Sequence, residues 1–320
     1  MYHIILNPAS QSGKGKKYWE EQLLPYLDRN QIEYTVYFSK GKGNLKDIAS
    51  KICSEFPGIE LKIVIVGGDG TVNEFLQGAD DTKRIVLGFI PIGSSNDLAR
   101  ALKIPGNDTR AAMDIVFKSG KCVPVDLGRI TLSDKSSYKY IISCGIGFDA
   151  AVCEEAMHSA LKNLLNRIHL GRLTYLGIAL KQILAARRTE GRVVMKLTDS
   201  QGHRITKSKN IKRLLFLTSM NERYEGGGFM FCPPAVDDDG IMDVCLVEKI
   251  SVLQVLIALP TALFGKHFIF EGIRAARCNC LEIYTDEPLW VHTDGEVKKK
   301  SNYMKVETLK NAMHFIKPAE

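Results

Sequence analysis

Three polar loops hold most of the residues that could do chemistry. They read NPASQSGKG (7–15), GGDGTVNE (67–74) and PIGSSNDLAR (91–100). Glycines without side chains let backbone N–H groups converge on an anion, and a helix start adds unpaired donors and partial positive charge. Thr71, Ser94 and Ser95 place hydroxyls nearby. Phosphate binding is the chemistry these residue types favour; a tight strand-to-helix turn is the plainer account of Gly67, Gly68 and Gly70. Asp69 stands out, because a carboxylate repels phosphate unless a cation such as Mg²⁺ bridges them. Alternatively, Asp69 or Asp97 serves as an acid at a helix N-terminus, facing free N–H groups. Neither common nucleotide motif is present: Lys14 is followed by Gly15 instead of Ser or Thr, and no G-x-G-x-x-G follows the first strand.

Two acidic stretches lie further along, DDDGIMDV (237–244) and WVHTDGE (290–296). Three consecutive aspartates are costly unless solvated or bound to a cation. The D-G step of TDGE suits a hairpin turn, and such a turn can also present a carboxylate into a cleft.

The elements that position these loops follow from hydrophobic periodicity. Strands are expected over 3–6, 33–39, 61–68 and 85–93, with 7–17 as a loop. Helices are expected over 18–27, 45–56, 94–102 and 109–117. Strand and helix alternate, and in such open α/β sheets ligands bind beyond the carboxyl ends of the strands. After about residue 122 the texture changes. Strand-like runs follow at 123–132, 138–144, 193–198, 214–218, 242–247 and 280–285, interrupted by a helical block at 151–186. The expected class is α/β with two domains: an open α/β nucleotide-binding domain over 1–122 and a β-rich domain over 123–302. The final run AMHFIK is a candidate to return to the first domain, completing it with 303–320.

The chain has 320 residues, 45% of them hydrophobic, and a formal net charge of +7. That charge suits nucleic acid, an anionic membrane or phosphate-rich ligands without choosing among them. Its eight cysteines are scattered, and CNC (278–280) has no second pair at zinc-site spacing. They read as reduced thiols of a cytoplasmic protein. The N-terminus enters a strand with no signal-like apolar core. VLQVLIALPTALFG (252–265) is too short to span a membrane and contains Pro260. It reads as a buried helix, with membrane contact as the alternative. No nucleic-acid module is present.

Across these motifs the sequence resembles the diacylglycerol kinase catalytic-domain family, especially its soluble bacterial lipid kinases. The resemblance rests on NPASQSGKG, GGDGTVNE, GSSND, VDLG (125–128), GIGFDA (145–150), DDDGIMDV and DGE (294–296), in that order. GGDGT alone is shared with NAD kinases and phosphofructokinases. The resemblance implies an NAD kinase/diacylglycerol kinase-like fold with ATP and Mg²⁺ as cofactors. By that match Asn7, Ser10, Gly67, Gly68, Asp69, Gly70, Thr71 and Asn73 contact ATP or its Mg²⁺. Ser39 falls near the nucleotide, and Ser94 replaces a usual threonine. Glu296 matches the general base that accepts the proton of a lipid hydroxyl, and Asp294 its partner acid. Asp239 matches a ligand of a structural Mg²⁺ in some relatives, with Val236 and Ile241 as carbonyl donors.

The expected activity is transfer of the ATP γ-phosphoryl group to a lipid hydroxyl, with diacylglycerol as the leading acceptor. Another lipid alcohol, an NAD kinase-like reaction and a non-catalytic nucleotide- or lipid-binding regulator are the alternatives. Candidate apolar groove segments are GGGFMF (226–231) and 161–184. Basic clusters at ARRTEGR, KSKNIKR and KKK (298–300) suit transient contact with an anionic membrane at its cytoplasmic face, or are an ordinary charged surface. No nucleic-acid partner is expected, and a homodimer is left open.

Overall fold

The computed structural model describes residues 1–158, 181–183, 188–198 and 201–319. The chain divides into two compact units, residues 1–127 with 310–320, and residues 128–309.

The first unit is built on a parallel sheet. β1 (Tyr2–Leu6) lies between β2 (Tyr34–Phe38) and β3 (Leu61–Gly67), and β3 pairs in turn with β4 (Ile85–Pro91). The far end of β13 (Glu296–Lys317) adds to β4 in parallel, His314 opposite Val86 and Phe315 opposite Leu87. β4 is buried throughout and β3 nearly so, which is why their sequences are almost continuously apolar. Ile4, Leu6, Val64, Val66 and Ile90 pack with Trp19, Leu23, Tyr26 and Val116.

Two expected boundaries move. The run 7–17 is not all loop, because helical turns form at Ser10–Gly13 and Gly15–Tyr18 and continue through a wide turn, Trp19–Leu23, into the helix Leu24–Arg29. Gly13, at φ +95°, breaks the first turn from the second. The helix expected over 94–102 is confined to Asp97–Ala101, since Asn96 before it takes a left-handed φ of 51°.

The second unit is an antiparallel assembly in the order β11 (Ile273–Cys278), β10 (Met242–Glu248), β9 (Arg204–Met220), β7 (Ser143–Gly147), β12 (Cys280–Thr293) and β13. β8 (Thr189–Thr198) pairs with β9 and β12, and β5 (Lys121–Leu132) forms a hairpin with β6 (Ser137–Tyr140). Ile146, Leu217, Val244, Leu281, Ile283, Val291, Met304 and Val306 form its core. Against Phe216, Cys245 and Val247 lies a second cluster, containing Val255 and Ala258 of the helix Val252–Ala262. Within and beside the expected helical block, Phe148–His158 is helical, while 159–180 and 184–186, and with them all of the candidate groove segment 161–184 except 181–183, lie outside the described residues. The eight cysteines are free thiols. Among the described residues no helix is long and apolar enough to cross a membrane.

Candidate active site

In the first unit the polar loops follow the carboxyl ends of parallel strands. Asn7 follows β1, Ser39 follows β2, Gly68 follows β3 and Ser94 lies just beyond β4. The Asn7 N–H donates to Val66 O (3.2 Å), the Ser39 N–H to Leu6 O (2.9 Å) and the Ile92 N–H to Gly67 O (2.8 Å). These bonds carry the sheet into the loops. Asn7 Oδ1 then accepts from the Ala9 N–H (3.0 Å) and the Ser39 hydroxyl (3.4 Å), and Asn7 O accepts from the Ser10 N–H (3.1 Å). Asn7, Ser10 and Ser39 are thus brought together.

The glycines are needed for close approach. A Cβ on Gly93 would lie 2.7 Å from Gly68 Cα, and one on Gly67 would lie 2.4 Å from Thr71 Oγ1. The second and third loops therefore pack backbone against backbone. The Gly68 N–H donates to Thr71 Oγ1 (3.2 Å), which caps the helix Asp69–Gly78. That helix leaves first-turn N–H groups, those of Asp69 and Gly70 among them, without intrahelical acceptors, the arrangement that favours an anion. Thr71 and Asn73 are themselves buried, while Ser94 is exposed.

Asp69 has a definite task. Its Oδ2 accepts from the Asp97 N–H (2.9 Å) and its Oδ1 from the Leu98 N–H (3.3 Å). It caps the helix of the third loop from the second, and the donors it takes offset its charge. Asp97 pairs with Arg100, so the Arg100 guanidinium is not committed to the ligand alone.

In the second unit the site is built on the turn between β12 and β13. Asp294 and Gly295 have φ of 49° and 76°, the pair of positive angles that a two-residue hairpin turn favours. The Asp294 carboxylate accepts three backbone N–H groups, from Ile141 (3.2 Å), Ile142 (2.8 Å) and Ser143 (3.0 Å). Its own N–H returns to Ser143 O (2.8 Å). Asp294 thus fastens the turn to the start of β7, and Glu296, half-buried, opens β13 beside it.

Behind this turn lies a cluster that sequence reasoning missed. His292 is fully buried; its Nε2 lies 3.1 Å from Asp149 Oδ2 and 3.5 Å from Glu225 Oε1. Glu225 Oε1 accepts from the Ser143 hydroxyl (2.7 Å), and His292 Nδ1 accepts from the Gly295 N–H (3.2 Å). Gly145 makes room, since a Cβ there would lie 1.9 Å from Asp149 Oδ2 and 2.5 Å from His292 Nε2. Burial pushes the Glu225 carboxyl up to about 7, against the pull of His292. Burial alone would lower His292, but the Glu225, Asp149 and Asp294 carboxylates outweigh it and lift the ring to about 9. His292 and the carboxylates that face it titrate as one coupled cluster. The available signals were GIGFDA, WVHTDGE and the three glycines after Glu225. Gly226, Gly227 and Gly228 all have positive φ and close a hairpin between Glu225 and Phe229. Nearby, the buried Asn221 amide has neither Nδ2 nor Oδ1 paired among the described residues. An orphan of this kind calls for water or a ligand.

The acidic loop 237–244 has a cation of its own. Asp239 pairs with Arg277, whose Nε also reaches Asp243 Oδ1 (3.4 Å), and Asp239 Oδ1 accepts from the Ile241 N–H (2.9 Å). Val236 and Ile241 flank this turn. Among the described residues no group of three or more His, Cys, Asp or Glu side chains could hold a metal ion. Asp69 is engaged as a cap and Asp239 faces Arg277. An ion taking part in the reaction would arrive largely ligated by the nucleotide's phosphate oxygens.

Comparison with known proteins decides the family. Residues 1–130 match the diacylglycerol kinase catalytic domain, and residues 143–316 match the YegS C-terminal NAD kinase beta sandwich-like domain. The chain belongs to the YegS-like diacylglycerol kinase family. A Bacillus subtilis diacylglycerol kinase is 28% identical, the match covering 92% of this chain and 88% of that one. A Mycobacterium tuberculosis diacylglycerol kinase is 29% identical over 70% of this chain and 69% of its own. A crystal structure of a diacylglycerol kinase from Bacillus anthracis superposes with a TM-score of 0.66 at 20% identity, covering 99% of this chain and 96% of that one. Membership makes the chain a nucleotide-dependent lipid kinase.

Proposed function

We propose that this kinase transfers the γ-phosphoryl group of ATP to the free hydroxyl of diacylglycerol, giving phosphatidic acid. The anchored turn carries the reading: three N–H bonds on Asp294 hold the backbone so that Glu296, one residue past the turn, has a defined place from which to accept the hydroxyl proton. The loops after β1, β3 and β4 are assigned the nucleotide phosphates, on the strength of the Asp69–Gly78 helix N-terminus and the Gly68–Gly93 contact. Magnesium would arrive with ATP as part of the substrate and would supply neutralisation of phosphate charge. Asn221, buried with an unpaired amide, suits an ester or hydroxyl group of a glycerolipid. Phe229 and Phe231, stacked at 5.9 Å on the glycine hairpin, supply apolar surface beside Glu225.

The test is turnover with labelled ATP, Mg²⁺ and a panel of dispersed diacylglycerol, sphingoid and prenyl alcohols, with NAD added. Labelled phosphatidic acid supports the proposal, whereas a product from another acceptor, or from NAD, replaces it. Glu296→Gln should lower turnover by at least a hundredfold, the ordinary yield of a general base being about 10²–10⁴-fold, while nucleotide affinity stays near that of the parent. Full activity in that variant would remove Glu296 from the mechanism.

A further inference from the structure

The helix Val252–Ala262 turns an apolar face outward. Leu253 is 67% exposed, Ile257 53%, Phe264 71% and Ile269 79%, with Leu256 and Leu263 also exposed. Leu253, Leu256 and Ile257 share one stripe of the helix, Leu263 and Phe264 lie in the turn that follows it and Ile269 in the short helical turn His267–Ile269, while Val255 and Ala258 belong to the buried cluster. Single exposed leucines are ordinary; a run of exposed apolar residues on a capped helix and the turns after it marks an interaction surface. Ser251 and Gln254 cap this helix reciprocally, at 2.9 and 3.2 Å. Its place is set by the protein, and the side chains named stay exposed.

Charge indicates what they meet. From Lys249 to Phe270 there is no Asp or Glu, and Lys249 and Lys266 lie on either side of Leu253–Phe264. We propose that this face docks on an anionic lipid bilayer, with Leu253, Ile257, Phe264 and Ile269 entering the boundary between headgroups and acyl chains and Lys249 and Lys266 against lipid phosphates. An interfacial helix has this composition, apolar on one side and basic at the rim. A second copy fits less well, because a two-fold contact would set the same lysines against one another with no carboxylate between Lys249 and Phe270 to answer them.

Docking here also bears on the reaction. The Met230 N–H donates to Ala262 O (2.8 Å). The end of the helix is thereby tied to the Glu225–Phe231 segment, whose glutamate reaches Ser143 and His292. The surface is one hydrogen bond from the segment that carries Glu225 of the His292 cluster. The inference rests on lipid-kinase membership for what the bilayer supplies, and on the geometry of the helix for where the protein meets it.

Sedimentation with vesicles tests this without relying on turnover. The full chain should pellet with vesicles of equal parts phosphatidylcholine and phosphatidylglycerol. The Leu253→Ser, Phe264→Ser double variant, altered only at exposed positions, should bind at least tenfold more weakly while keeping its melting curve. Lys266→Glu should weaken binding to the anionic vesicles by about fivefold or more, the equivalent of one lysine near the surface. It should leave binding to pure phosphatidylcholine unchanged. Parent-like binding by the double variant would overturn the proposal, as would a parent protein that ignores both vesicles. A parent dimer that the double variant dissociates, read by light scattering, would reassign the face to a contact between copies. A short-chain diacylglycerol dispersed as monomers should be phosphorylated equally by parent and double variant. If neither phosphorylates it, the choice of acceptor fails while the vesicle result stands.

Discussion

Asp294 and Glu296 sit two residues apart, yet only Asp294 is held by three backbone N–H groups. Glu225 and Asp69 also have tasks that can be measured. Glu225 and His292 both bind their protons more tightly in the fold than the ordinary 4.5 and 6.5, at about 7 and about 9. Folded pKa values above the unfolded ones give stability that is complete at the acid end and is lost as pH rises through them. Thermal melting should therefore fall from pH 6 to pH 9. Glu225→Gln keeps an acceptor for the Ser143 hydroxyl but removes the titrating carboxylate and the leading attraction on His292, so its melting temperature should fall less over that range. Equal slopes would dissociate the cluster from the pH response. Asp69 allows a different separation. Its cap on the Asp97–Ala101 helix predicts that Asp69→Ala loses about 1–2 kcal/mol of stability without nucleotide and in the presence of a chelator. A residue serving only as a metal ligand would cost nothing under those conditions.

The loops work because glycines allow two stretches of backbone to touch. Gly93→Ala would place a methyl 2.7 Å from Gly68 Cα and 2.8 Å from Asn96 Oδ1, and the first of these is backbone that cannot swing aside. The loops must part, at an overpacking cost of about 1–3 kcal/mol. Titration with an ATP analogue should show at least tenfold weaker binding by a protein that still melts cooperatively; unchanged affinity would mean that the Gly68–Gly93 contact does not shape the nucleotide site. The strands feeding these loops could be read from sequence because both their faces are buried, so β3 and β4 appear as unbroken apolar runs. The turn at Asp294–Gly295 was equally plain, its chemistry being local. β13 was visible only at its end. Lys298, Lys299 and Lys300 mask its alternation, because much of the strand is only partly buried and its partners are distant in sequence. β11 was missed for a related reason, since Arg274 and Arg277 break its apolar pattern. The His292 cluster was missed because Asp149, Glu225 and His292 come from three segments, and no spacing rule joins residues that meet only through the sheet.

β13 serves both units, and that sets how the chain can be divided. Its first half pairs with β12, from Glu296 opposite Thr293 to Glu307 opposite Cys280. Its last residues pair with β4, and the Asn311 N–H satisfies the buried Asp126 carboxylate (2.7 Å). The catalytic-domain match ends at residue 130, whereas the first unit also needs 310–320. A fragment of residues 1–130 would leave the Val86–Leu87 edge of β4 unpaired, remove the Asn311 N–H from Asp126, and empty the places of Met313 and Phe315, both fully buried. Open apolar edges associate. That fragment should be recovered as aggregate or as an unfolded chain, although its sequence looks like a whole domain. Phe315→Ala in the full chain is the controlled version, because it preserves the strand and removes only the ring, at a cost of about 3–5 kcal/mol. Limited proteolysis with mass readout should then cut first within 1–127, with residues 242–309 persisting longer, and analogue binding should fall in step with the early cleavage. Cleavage spread evenly over both units would mean that the end of β13 is not what holds the first one closed.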